Sequence, residues 1–137
     1  MLSADNAHAV HPHIPQKTDA TNCVYMNEGI VVKSHAGQKY TSDAVSVAVF
    51  KDLCKKANVP VQFFANRSDE AGGSTLGNIA MAQVSMNSVD IGLPQLAMHS
   101  SYETAGIKDT YYMIQVMEEF FNSHIEKISS NEFKVIK

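Results

Sequence analysis

The most concentrated chemistry in the sequence is Asp5-x-x-His8-x-x-His11-x-His13, which gathers three of the six histidines within six positions beside a carboxylate. Imidazole and carboxylate are both zinc donors, and a loop at the carboxyl end of a strand is where α/β proteins place their sites. The spacing matches no standard zinc motif, and a polar surface loop with Asp5 capping a turn and solvated histidines explains the same residues. His99, in Leu96-Ala97-Met98-His99-Ser100, stands just beyond an apolar strand and a proline. Alone it reads as a hydrogen-bonded structural histidine. Beside Asp5, with both projecting from strand ends on one edge of a parallel sheet, it becomes a second metal donor.

Lys33 closes a β-branched strand and Tyr40 ends the turn Gly37-Gln38-Lys39-Tyr40, so the two offer a cation and a hydroxyl to a substrate carboxylate. Exposed lysines and loop tyrosines are common on any surface, which is the plainer account. Gly72-Gly73-Ser74-Thr75-Leu76-Gly77 can either present backbone N–H groups to an anion or form a tight turn into a capped helix. No Lys follows these glycines and their spacing is wrong for a dinucleotide fingerprint. Glu118-Glu119 invites a catalytic carboxylate pair, but neighbours on a helix point about 100° apart, so the pair reads as a solvated helix face.

These residues need elements to hold them. Strand-like and helix-like stretches alternate, which favours an α/β layer architecture with a sheet flanked by helices. Residues 1–4 read as the end of a strand, normally a middle strand of a larger sheet, followed by a polar loop over 5–22. Residues 29–34 carry Ile30-Val31-Val32 and read as a buried strand. Ser42 as N-cap and Asp43 as first-turn acid open a helix whose Val47, Phe50, Leu53, Cys54 and Ala57 share a face, ended by Val59-Pro60. Further strands are expected at 61–65 and 88–93, and Ser74-Thr75 should cap a short helix reaching about 86. The longest helix is expected from 109 to about 128, with Met113, Val116, Met117 and Phe120 facing the sheet and Lys127 at its carboxyl end.

With 137 residues, 45% of them apolar, one domain with one hydrophobic core is the default. The formal charge is −3 and the eleven Lys and Arg are scattered, so no basic stripe for nucleic acid exists. Two cysteines, Cys23 and Cys54, in no Cys-x-x-Cys spacing indicate neither a disulfide framework nor a thiolate zinc site, and fit a reducing cytoplasm. No apolar run is long enough to span a bilayer and the first residues lack the pattern of a signal peptide, so neither a membrane nor export is expected.

Ser3-Ala4-Asp5-Asn6-Ala7-His8-Ala9-Val10-His11-Pro12 resembles the aspartyl aminopeptidase and aminopeptidase I family of dizinc metallopeptidases. So do Gly92-Leu93-Pro94-Gln95-Leu96-Ala97-Met98-His99-Ser100 with Tyr102-Glu103-Thr104-Ala105, and the glycine segment between them. The segments stand in family order over essentially the whole chain. The resemblance implies a partial zinc-exopeptidase catalytic domain, its carboxy-terminal part, that removes amino-terminal, acidic residues from peptides. It implies two zinc ions, with Asp5 a terminal ligand to one and His99 to the other, and substrate contacts from His8, Lys33 and Tyr40. The family's first zinc histidine, bridging aspartate and Glu-Glu pair are expected upstream of this segment. Each zinc would then find one ligand here where a catalytic zinc needs about three, so the 137-residue chain is expected to be inactive alone. It is also expected to expose apolar surface and to form homo-oligomers or join full-length subunits. Two other functions stay open: a non-catalytic binding or assembly subunit, and a small anion-binding module built on the glycine loop.

Overall fold

The computed structural model describes residues 1–130 and 132–137. In chain order the elements are β1 (Leu2–Ala4), β2 (Ala7–His8), β3 (Ile30–Ser34), α1 (Ala44–Lys56), β4 (Val61–Ala65), α2 (Leu76–Met81), β5 (Val89–Gly92), β6 (Pro94–Leu96), β7 (Thr104–Ala105), α3 (Ile107–Phe121), β8 (His124–Lys127) and β9 (Phe133–Ile136). The main sheet runs β1-β5-β3-β4, a small second sheet runs β2-β6-β7, and β8 pairs with β9 as a hairpin.

The pleat divides the main sheet into two unlike faces. Ile30, Val32, Val89 and Ile91 project to one side, where they meet Phe50, Leu53 and Cys54 of α1 and Val116 of α3. Removing such side chains from water contributes about 1.5–3 kcal/mol each, so this face carries most of the stability. Val31 projects to the other side and packs with Ala7, Val24 and Phe64. The residues that alternate with the core, Ser3, Lys33 and Asp90, share that second face and are buried there. The side that α1 and α3 leave uncovered is therefore the polar one, and α2 lies against it through Gly77 and Ser3.

The α/β class holds, and five local expectations are corrected. The sheet is mixed rather than parallel, because β5 runs antiparallel to β3 through Val31↔Gly92 and Val32↔Ile91. Asp43, not Ser42, caps α1, accepting from the Ser46 N–H at 2.8 Å, since the Ser42 hydroxyl is taken by the Asp90 N–H. The short helix stops at Met81 rather than about 86; the residues after it present no apolar face, and Val84 is exposed. The long helix ends at Phe121 rather than about 128, with Asn122 as C-cap. Beyond it Ile125 and Val135 alternate with polar neighbours, a two-residue period that makes a hairpin, and Lys127 sits on a strand instead of at a helix end. Glu119, expected on the solvated face, is buried and ion-paired to Lys137 at 2.8 Å, while Glu118 is exposed.

Among the described residues no helix is long and apolar enough to cross a membrane. Ile107, Tyr111, Ile114 and Phe121 form an exposed apolar stripe along α3, and Leu76 and Ile79 are exposed on α2.

Candidate functional site

Backbone pairing carries the Asp5 segment alongside the strand that leads to His99. The Asp5 N–H donates to Ile91 O at 2.9 Å, Ala7 N–H to Leu93 O at 2.9 Å and Ala9 N–H to Gln95 O at 2.8 Å. β2 and β6 are parallel, with His8 opposite Gln95. This contact needs Gly92, because a Cβ there would lie 2.0 Å from the Asp5 carbonyl oxygen. The Asn6 side chain seals the junction, donating to Gln95 Oε1 at 2.6 Å and accepting from the Leu93 N–H at 3.2 Å.

After β6 the chain folds back through two non-glycine residues in the left-handed region, Ala97 (φ 55°) and His99 (φ 68°). Such values are uncommon outside glycine and cost free energy unless the surroundings fix them. Here the Ser100 N–H donates to Ala97 O at 3.0 Å and the His99 N–H to Glu103 Oε1 at 2.7 Å. The turn leaves the His99 side chain exposed.

Lys33 is the largest fully buried side chain, contrary to the exposed surface lysine that its type suggests. Its ammonium lies 3.1 Å from Asp5 Oδ2 and 4.9 Å from the centroid of the Tyr40 ring, so a carboxylate and a π-face together compensate its burial. Tyr40 is half-buried between His35 and Phe64, and its hydroxyl donates to Asn66 Oδ1 at 3.2 Å. Burial, then the nearby Asp5 and Asp90 carboxylates, raise the Tyr40 pKa, so the phenol stays protonated.

His8 follows Asp5 by three positions and stands opposite Gln95 of β6. Its pKa is lowered first by burial, then by the charges of His99 and Lys33, with Asp5 opposing. His8 is neutral near pH 7 and lines a cavity of about 370 Å³ with His11, Tyr40, Asn66, Arg67 and Gln95.

The structure thus links Asp5, Lys33 and Tyr40 by direct contacts and sets the Asp5–His8 segment beside the strand that leads to His99. His13 stands apart from that cavity lining, its N–H donating to His11 Nδ1 at 3.2 Å. The donor chemistry fits zinc in kind, an accessible carboxylate and an accessible imidazole. It does not fit in number: among the described residues no group of three or more His, Cys, Asp or Glu could hold a metal ion. The glycine loop follows neither account in full: residues 71–75 form no turn, Thr75 stands at the N-cap of α2 without a side-chain hydrogen bond, and the Gly77 N–H is taken by Ser3 Oγ at 2.9 Å. Two supports escaped sequence reasoning, the Asn6–Gln95 pair and Asp90. The second had a signal, an acid within the apolar run Ser88-Val89-Asp90-Ile91-Gly92.

Residues 1–121 match the family model for aminopeptidase I zinc metalloprotease (M18). The chain is 53% identical over 122 residues to a probable M18 family aminopeptidase 2 of Clostridium novyi, covering 89% of this chain and 28% of that relative. Its fold superposes on a chain of the cryo-EM structure of an Ape4 and Nbr1 complex with a TM-score of 0.85 at 38% identity, covering 88% and 23% of the two chains. The S. cerevisiae mApe1 dodecamer gives a TM-score of 0.76 at 26% identity, with coverage of 88% and 26%. The chain spans 28% of the length of the curated relative from C. novyi.

Proposed function

The chain belongs to the aminopeptidase I zinc metalloprotease (M18) family, and from that premise we propose that it supplies one side of a dizinc aminopeptidase site acting on peptides with an acidic first residue. The observation that carries the proposal is the backbone pairing that sets the Asp5–His8 segment alongside β6, the strand that leads to His99. Asp5 and His99 would hold one zinc ion each. When bound, such a pair polarises a carbonyl and acidifies water. The remaining ligands and the general base lie outside these residues.

The chain's own residues then bind and orient. Tyr40, kept protonated and steadied by Asn66, offers a hydroxyl to the first side chain of the peptide, and Lys33 beneath it supplies positive charge. Neutral His8 can accept a hydrogen bond from the substrate. Arg67 also lines the cavity, but its guanidinium is already paired with Asp69.

Calorimetric titration of zinc into the purified chain tests this. We expect weak binding that drops in Asp5→Asn and in His99→Ala, and no release of amino-terminal residues. Zinc-dependent aminopeptidase activity of the purified chain, abolished in His99→Ala, would overturn the view that the site is incomplete here. Zinc binding indifferent to both substitutions would remove Asp5 and His99 from the metal site.

The exposed α3 stripe favours a second reading, an assembly subunit that joins longer family members. The dodecamer formed by one relative supports self-association of the same kind. Co-purification with a longer subunit, lost when Ile114 and Phe121 are changed to Ser, tests it.

A further inference from the structure

Asp90 is fully buried in the centre of the main sheet, yet no Lys or Arg pairs with it among the described residues. A buried carboxylate without a cation is costly, and such a group persists only where hydrogen bonds hold it. Asp90 Oδ2 accepts from the Thr41 N–H at 2.6 Å and from the Thr41 hydroxyl at 2.9 Å. A hydroxyl has one proton, so the Thr41 oxygen, 3.0 Å from Ser88 Oγ, accepts from Ser88 while it donates to Asp90. The Asp90 main chain adds a further tie, its N–H donating to Ser42 Oγ at 3.0 Å. A single strand residue therefore fastens two successive loop residues.

Those residues directly follow Tyr40. The same carboxylate lies under the glycine loop, where a Cβ on Gly77 would come within 2.9 Å of Asp90 Oδ2 and 2.7 Å of Thr41 Oγ1. Asp90 also stands opposite Ser3, whose hydroxyl accepts from the Gly77 N–H at 2.9 Å, two residues before Asp5. Three segments that border the site meet at this point: β1 leading to Asp5, the turn carrying Tyr40, and the glycine loop.

We infer that Asp90 is a positioning residue, which by gripping the Thr41 amide and hydroxyl from beneath sets the Tyr40 phenol over Lys33 and seats the glycine loop at the same point. The inference rests on the reading of Tyr40 as a substrate-contacting group and adds the residue that places it. A charged acceptor is used because one oxygen must receive two short bonds at once, which a neutral amide oxygen does less strongly. Asp90 Oδ1 has no protein partner, and the carboxylate lies near enough to the phenol to help raise the Tyr40 pKa.

The test uses the whole 137-residue chain with labelled tyrosine rings, the Tyr40 signal being assigned from Tyr40→Phe. Asp90→Ala should lower the exchange protection of the Thr41 amide by at least about ten-fold and shift the Tyr40 ring signal. Asp90→Asn should restore most of that protection while moving the Tyr40 titration midpoint down, because the charge alone is gone. Thr41→Val removes only the hydroxyl and should shift the ring signal by less than Asp90→Ala. If Asp90→Ala does not fold, the Asn and Val variants decide. An unchanged Tyr40 midpoint in Asp90→Asn, or unchanged Thr41 protection and ring signal in a folded Asp90→Ala, overturns the inference. Zinc titration of Asp5 and His99 variants reads the aminopeptidase proposal separately, so failure of one is not failure of the other.

Discussion

Replacing Asp5 and replacing Lys33 should have unequal consequences, although the two side chains form one ion pair. The Asp5 side chain is 55% exposed and that of Lys33 is 2% exposed, so water can rescue one partner and not the other. Opposite charges at 3.1 Å attract by roughly 5 kcal/mol at an effective dielectric of about 20 and by ~1 kcal/mol in bulk water. Breaking a buried pair by removing one partner costs about 3–5 kcal/mol, whereas exposed pairs contribute about 0–1. Asp5→Asn strands a buried ammonium whose remaining support is the Tyr40 ring, and the half-open position puts the expected loss near ~2 kcal/mol. Lys33→Met keeps the shape, removes the buried charge and leaves Asp5 to be hydrated, so its stability should stay within about 1 kcal/mol of the parent. With an unfolding entropy of about 2.1 cal/mol/K per residue over 137 residues, Asp5→Asn should lower Tm by roughly 7 °C. Lys33→Met should move it by less than about 4 °C. Thermal and urea unfolding in chelator near pH 7 measure both, and the double variant should recover most of the Asp5→Asn loss. Equal destabilisation by the two single changes, or a larger loss for Lys33→Met, would refute the assignment of the burial penalty to Lys33.

Asp109 is buried at the first turn of α3 and accepts from the Asn27 N–H at 2.5 Å and the Gly29 N–H at 3.0 Å. Asp109→Asn turns one acceptor into a donor facing an N–H, so chemical denaturation should show a loss of about 1–3 kcal/mol. Burial raises the Asp109 pKa above 3.8; its titration-linked stability is fully present below that value and is lost as pH rises through the raised one. The parent should therefore lose stability more steeply than Asp109→Asn in that acid window. Lys137→Met removes the cation from buried Glu119 and should cost ~2 kcal/mol, read as a lower melting temperature and faster tryptic cleavage in β8–β9. Burial pushes the Cys54 thiol up to about 12 while Cys23 is exposed, so a disulfide reagent near pH 8 should titrate one thiol in the native chain and two in denaturant.

Local pattern made the scaffold legible. Ile30-Val31-Val32 and the run at 61–65 gave strands within a residue of β3 and β4, and the apolar spacing of Phe50, Leu53 and Cys54 gave α1 its buried face. What failed depended on partners remote in sequence. Lys33 is buried because a carboxylate 28 positions earlier meets it, and Glu119 is buried because Lys137 reaches it. Neither residue type announces that environment. The end of α3 was lost because its apolar period passes without a glycine or proline into the alternating pattern of the hairpin. The left-handed Ala97 and His99 carry no glycine to mark them, so the turn that exposes the candidate ligand had to be seen in three dimensions.

The unlike faces of the main sheet also guard its alignment. Were β3 to slide by one residue against its neighbours, every side chain would change sides, and the Lys33 ammonium would enter the layer packed by Phe50, Leu53 and Val116. An uncompensated cation there is worth several kcal/mol against the misaligned form. The lysine therefore works as a proofreading mark, rejecting the wrong strand pairing before any ligand or substrate is met.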